Sequence, residues 1–168
     1  GAESFNHDIS SWNTGNVTNM RDMFWDATVF NQPIGNWDVS SVNWMDGMFV
    51  RASSFNQNIS SWDVSNVNNM HQMFHEAILF NQPIGNWDVS SVTNMFNMFL
   101  GAASFNHDIS NWNVLNVTLM NGMFFQASSF NQPIGGWNTS GVTTMENMFR
   151  GAESFNHDIS SWNTGNVT

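Results

Sequence analysis

Apolar side chains recur along this chain in fixed columns 25 positions apart, with no insertion or deletion to disturb them. Phe occupies Phe5, Phe30, Phe55, Phe80, Phe105, Phe130 and Phe155, and Val recurs at the same step from Val17 to Val167. Ile runs likewise from Ile9 to Ile159. Trp fills a further column at Trp12, Trp37, Trp62, Trp87, Trp112, Trp137 and Trp162. A period of this kind marks a repeat architecture, in which each unit buries its apolar face against its neighbours. Within each unit Met20, Met23, Phe24 and Ala27 fall at i, i+3, i+4 and i+7, the spacing of one face of an α-helix. Two positions before the first Met stands Thr18, Asn43, Asn68, Thr93, Thr118 or Thr143, all side chains able to cap a helix N-terminus. The pattern therefore predicts a helix of about two turns over 19–27 and at each equivalent, too short to persist without packing.

The rest of each unit reads as extended chain and turns. Trp37-Asp38-Val39 alternates as a strand does, residues 38–41 offer turn chemistry, and Pro33 and Gly35 place a bend after Phe30. Stacked strands sit about 4.8 Å apart, whereas packed helices need about 8–10 Å. A stack containing both must curve, with the helices on its convex side. The sequence thus predicts an α/β repeat solenoid with one short helix and short parallel-stacked strands per coil. It forms one array over 1–168, six full 25-residue coils plus 18 residues of a seventh.

Longer periods overlie this one. Pro33, Pro83 and Pro133 occur in every other coil, where the alternate coils carry Asp8, Asn58, Asp108 and Asp158. Residues 1–18 and 151–168 are identical. Two explanations are open, a 150-residue unit repeating along a longer array of which this chain is a window, or a recent duplication.

Composition narrows the function classes. With 13 Asp plus Glu against 3 Arg and no Lys, the formal net charge is -10. Such a chain is repelled by nucleic acid and by anionic membrane, so neither is a partner. The absence of Cys excludes a disulfide framework and thiolate metal sites. No stretch approaches the roughly 20 apolar residues of a membrane span, and no basic segment leads into an apolar one as in a signal peptide.

The repeated pattern Val-x-x-Met-x-x-Met-Phe-x-x-Ala-x-x-Phe-Asn-x-x-Ile is carried by Val42, Met45, Met48, Phe49, Ala52, Phe55, Asn56 and Ile59, followed by Ser60, Trp62 and Asp63. It resembles the 25-residue repeats of BspA-like surface proteins, found in mycoplasma and other microbes. That resemblance covers the whole chain. It implies a leucine-rich-repeat-like solenoid at a cell surface, with an adhesive role, no enzyme activity and no cofactor.

Several polar columns are candidates for function. Asn6, Asn31, Asn56, Asn81, Asn106, Asn131 and Asn156 follow the core Phe directly. They form either a ligand-binding row of amides or, like the asparagine ladder of leucine-rich repeats, a buried ladder satisfying backbone groups. The Trp column is either a core stack, each indole N–H needing an acceptor, or an exposed shelf for sugar rings. Trp25 and Trp44 break the pattern and are the better candidates for exposed contacts. Asp38, Asp63 and Asp88 align in adjacent coils and could share calcium, the one cofactor considered. Asn at Asn13, Asn113, Asn138 and Asn163 in the same column points instead to local turn capping. His71 and His75 at i, i+4 beside Glu76 have chelating spacing on a helix but lack a third ligand. Asn16, Asn58, Asn116, Asn138 and Asn166 are acceptor sequons for N-glycosylation.

No catalytic constellation stands out, and polar positions repeat because the backbone repeats, whereas an active site would break the pattern once. The sequence therefore points to an extracellular structural or adhesive protein, as the unit of a surface filament that extends head to tail or as a longer covalent array. The alternative is a module that holds a glycan or a surface protein on its concave face.

Overall fold

The computed structural model describes residues 2–168. Among these the one helical element is a single 3-10 turn, Ile134–Gly136. Extended pairing is limited to isolated parallel bridges that link Asn19 to Trp44, Trp44 to Asn69, Asn69 to Asn94, Asn94 to Leu119 and Leu119 to Thr144. The predicted α/β architecture is therefore wrong: residues 19–27 and their equivalents are not helices, and Trp37-Asp38-Val39 is not a strand. What holds is a stack of coils in which matching residues lie above one another. Phe30 and Phe55 have ring centroids 6.0 Å apart, and Trp62 and Trp87 6.4 Å apart.

Each coil is built from β-turns whose first and fourth residues point inward. In the coil beginning at Met45, carbonyl oxygens accept N–H bonds three residues on at Met45–Met48, Phe49–Ala52, Ala52–Phe55, Ile59–Trp62 and Val64–Val67. Those corner residues are the core, and none of them exceeds 3% exposure. This explains the misread helix. Two four-residue turns placed back to back bury positions i, i+3, i+4 and i+7, the same set that one helical face buries.

The backbone of this segment bonds to the next coil rather than to itself. Met20, Asp22, Phe24 and Asp26 donate to the carbonyls of Trp44, Asp46, Met48 and Val50 at 2.9–3.0 Å, and the same four rungs recur at each later interface to Arg150. An α-helix is excluded by the third residue of each turn, which has positive φ: 64° at Gly47 and 54° at Arg51. The same left-handed residues kink the chain out of the extended region, so each interface keeps one bridge and not a strand. Asn97, Gly122 and Asn147 occupy the first left-handed column, and Gly101 and Gly151 the second, residues that tolerate this region.

Coil-to-coil spacing grows across the section. Rungs between backbones require about 4.8 Å. Equivalent rings are 5.4–5.8 Å apart in the Phe24 column and 6.2–6.4 Å in the Trp column. Equivalent rings are therefore closer in the column beside the bridges than in the Trp column. The segment expected as a convex helix is in fact the tightest-spaced side.

The two-coil alternation has a packing cause. A Cβ on Gly35, Gly85 or Gly135 would lie 2.2–2.3 Å from the carbonyl oxygen of Asn58, Asp108 or Asp158 in the next coil. The Pro-Ile-Gly coil must omit a side chain where its neighbour's backbone comes closest.

Candidate functional site

The polar columns singled out in the sequence take part in holding the stack. Asn31 offers its Oδ1 to the backbone N–H of Asn56 at 3.0 Å. The same bond runs from Asn6 to Asn31, Asn56 to Asn81, Asn81 to Asn106, Asn106 to Asn131 and Asn131 to Asn156. Gln32, Gln57, Gln82 and Gln132 add Nε2 donors to the same asparagines. This ladder lies at the surface and is not buried. The Trp column is core from Trp37 to Trp137, with Trp162 half-buried and Trp12 52% exposed. Each indole from Trp37 on donates its Nε1–H to an Ile carbonyl of the preceding coil, as Trp87 does to Ile59 at 3.2 Å.

Asp38, Asp63 and Asp88 each stay within one coil. Asp38 Oδ1 accepts the N–H and hydroxyl of Ser40, Asp63 those of Ser65, and Asp88 the N–H of Ser90. Asn113 and Asn138 do likewise with Leu115 and Ser140. The Ser40 and Ser90 donors hold Asp38 and Asp88 below the usual carboxylate range. Among the described residues no three His, Cys, Asp or Glu side chains are placed to hold a metal ion.

His71 and His75 do not share a helix face. The His71 ring packs on Phe96 at 5.1 Å, while His75 Nδ1 meets Gln72 Nε2 at 3.1 Å and its Nε2 lies 3.8 Å from Glu76. The sequon asparagines Asn16, Asn58, Asn116, Asn138 and Asn166 are all exposed. Asn116 and Asn166 already commit their Nδ2 to the Ser90 and Ser140 carbonyls.

The Phe, Trp, Ile and Val columns repeat, whereas the bridged face varies from coil to coil. Its outward positions read Arg21, Asp46, His71, Phe96, Asn121 and Glu146 in one column, and Trp25, Val50, His75, Leu100, Phe125 and Arg150 in another. The first three coils close this face. Arg21 pairs with the buried Asp46, Arg51 pairs with Asp26, and the Arg51 guanidinium lies 5.4 Å from the Trp25 ring. Burial and the neighbouring Asp46 raise the Asp22 carboxyl, and burial lowers His71. Trp44 remains 40% exposed at the margin.

The last three coils leave the face open. A cavity of about 260 Å³ lies there, with Phe96, Leu100 and Phe125 as its apolar lining. Asn97, Asn121, Glu146 and Asn147 supply its polar atoms, and Gly122 forms part of the wall. Arg150 sits over Phe125 at 5.7 Å. A side chain at Gly122 would strike Asn97 Oδ1 at 2.1 Å, so the glycine gives that amide its place. Reasoning from the sequence missed this site. The signal was present in the columns that vary while their neighbours stay fixed, and in Asn97, Gly122 and Asn147 at the third position of their turns.

A stack of like coils with one irregular face defines a tandem-repeat protein. The chain belongs to the family described as "Mycoplasma protein of unknown function, DUF285", which matches residues 1–84 and again 79–168. A search of curated proteins gave no match. No helix among the described residues is long and apolar enough to cross a membrane.

Proposed function

We propose that this chain is an extracellular repeat protein with a structural and adhesive role at a cell surface. Its uniform columns serve as the scaffold and its bridged face as the contact surface. The observation that carries this reading is the division of labour between columns. Turn corners, asparagine ladder and indole bonds recur coil after coil, while the outward side chains of the bridged face differ from one coil to the next. The resemblance to BspA-like surface repeats supports the same assignment. The identity of 1–18 with 151–168 supports continuation of the stack, because a coil placed after Thr168 meets the same side chains as the coil after Thr18. Head-to-tail contact or a longer covalent array then gives an elongated object.

Beads coated with the purified chain and scored for attachment to a cultured epithelial layer test the adhesive role. Attachment above that of albumin-coated beads, reduced when Phe96, Leu100 and Phe125 are replaced together by Ser, is the expected result. Attachment equal to albumin beads contradicts it.

A further inference from the structure

We infer that the open half of the bridged face is a binding site for a neutral pyranose ring, the terminal or internal hexose of a glycan. This deepens the adhesive reading and rests on it. The cavity is not a by-product of the fold, because the same columns build a closed surface in the first three coils. There Arg21 and Asp46 are paired, Val50 is fully buried, and the Trp25 ring lies 3.2 Å from where a Gly47 side chain would begin. Where these columns carry Phe96, Leu100, Asn121 and Phe125, a concavity of about 260 Å³ opens.

The lining suits a sugar better than the other ligands. Phe96 and Phe125 are half-buried; His71 packs on the first and Arg150 lies over the second, and the rest of each ring is left to a ligand. The negative π-face of such a ring attracts the weakly positive C–H groups on one face of a pyranose. Around them stand three amides, Asn97, Asn121 and Asn147, each able to donate and accept, as vicinal hydroxyls require. Asn121 is held before any ligand arrives. Asn121 Nδ2 bonds Thr144 Oγ1, Asn147 Nδ2 bonds Glu146 Oε1 at 3.2 Å, and Asn97 lies over Gly122. Glu146 adds an acceptor-only carboxylate. An apolar peptide side chain would leave these polar groups without partners. An acidic glycan would meet the Glu146 carboxylate in the lining and a chain of net charge -10, against one cation, Arg150, over Phe125.

The test titrates lactose, cellobiose and maltose, with sialyllactose as the charged comparison, into the ¹⁵N-labelled full chain and follows amide shifts by NMR. The expected result is saturable movement of the Asn97, Asn121 and Asn147 side-chain amides and of the Gly122 N–H with at least one neutral sugar. Half-saturation near about 1 mM is anticipated for so small a contact. Phe125→Ala and Asn121→Ala, each checked for an unchanged fold by its spectrum, weaken that sugar about tenfold or more. Trp25→Ala, on the closed half, leaves it unchanged. Absence of shifts with every neutral sugar overturns the glycan assignment, as does preference for sialyllactose or equal weakening by Trp25→Ala. If bead attachment still depends on Phe96 and Phe125 in that event, the adhesive reading stands and its ligand is a protein surface. Loss of both results removes both readings.

Discussion

The indole N–H of Trp62 donates to the carbonyl oxygen of Ile34, 28 residues earlier, at 3.1 Å. The bond crosses from one coil to the one before it and supplies the acceptor that a buried indole needs. It also ties the corner of one turn, Ile59–Trp62, to the corner of another, Ile34–Trp37.

Replacing Trp87 by Phe keeps most of the apolar volume but removes one of the two hydrogen bonds that the Ile59 carbonyl accepts, the other coming from the Trp62 N–H. Losing one hydrogen bond while the acceptor keeps another costs about 0.5–1.5 kcal/mol. Urea unfolding should show a loss in that range for Trp87→Phe and a larger one, about 3–5 kcal/mol, for Trp87→Ala.

Gly85→Ala places a methyl 2.2 Å from the Asp108 carbonyl oxygen. The backbones of two coils must part to admit it, at a cost of about 1–3 kcal/mol. Ser60→Ala, at the equivalent position of the alternate coil, should change the unfolding midpoint far less. Equal effects would remove the packing account of the two-coil period.

These residues also show what could be read in advance and what could not. The columns of Phe30, Ile34, Trp37 and Val42 mark buried positions whatever the backbone does between them, so the core and the stacking were visible in the periodicity. The path between Met20 and Ala27 was not, because a helix and a pair of turns bury the same four residues. What separates them is the left-handed backbone at Asp22 and Asp26, with φ of 55° and 60°. Gly47, Asn97 and Gly122 hint at it in the sequence, but Arg51, Gln72 and Glu76 occupy such positions too and mask the signal. The open cavity was hidden for a related reason, since 96, 121 and 146 converge only once the bridges are known to set them side by side on one face.

Asn81 accepts the Asn106 N–H at 3.0 Å and lies partly exposed. Asn81→Ala should cost about 0.5–1.5 kcal/mol. Asn81→Asp retains an acceptor and should cost less, the comparison being made by chemical denaturation at neutral pH. A ladder that serves only a ligand would leave both variants as stable as the parent.

Acid should destabilise the chain in two stages. Burial holds His71 and His75 below the ordinary value of 6.5, so the unfolded chain binds more protons. Their contribution is complete above 6.5 and is lost as pH falls from there toward the depressed folded values. Hydrogen bonds from Ser90 and Ser110 lower Asp88 and Asp108, and that stability is present above 3.8 and lost as pH falls through their folded values. Asp22, raised chiefly by burial, works in the opposite sense over its own range. The urea midpoint should therefore drop between about pH 7 and pH 5, and the double variant His71→Gln, His75→Gln should flatten that drop.

Scalar coupling across hydrogen bonds, read by NMR on the doubly labelled chain, tests the coil stack most directly. The Phe74 nitrogen should couple to the carbonyl carbon of Met98, one coil ahead, because Phe74 donates to that oxygen at 2.9 Å. A coupling from Phe74 to the carbonyl of Met70, four residues back, would be the signature of a helix and would contradict the account.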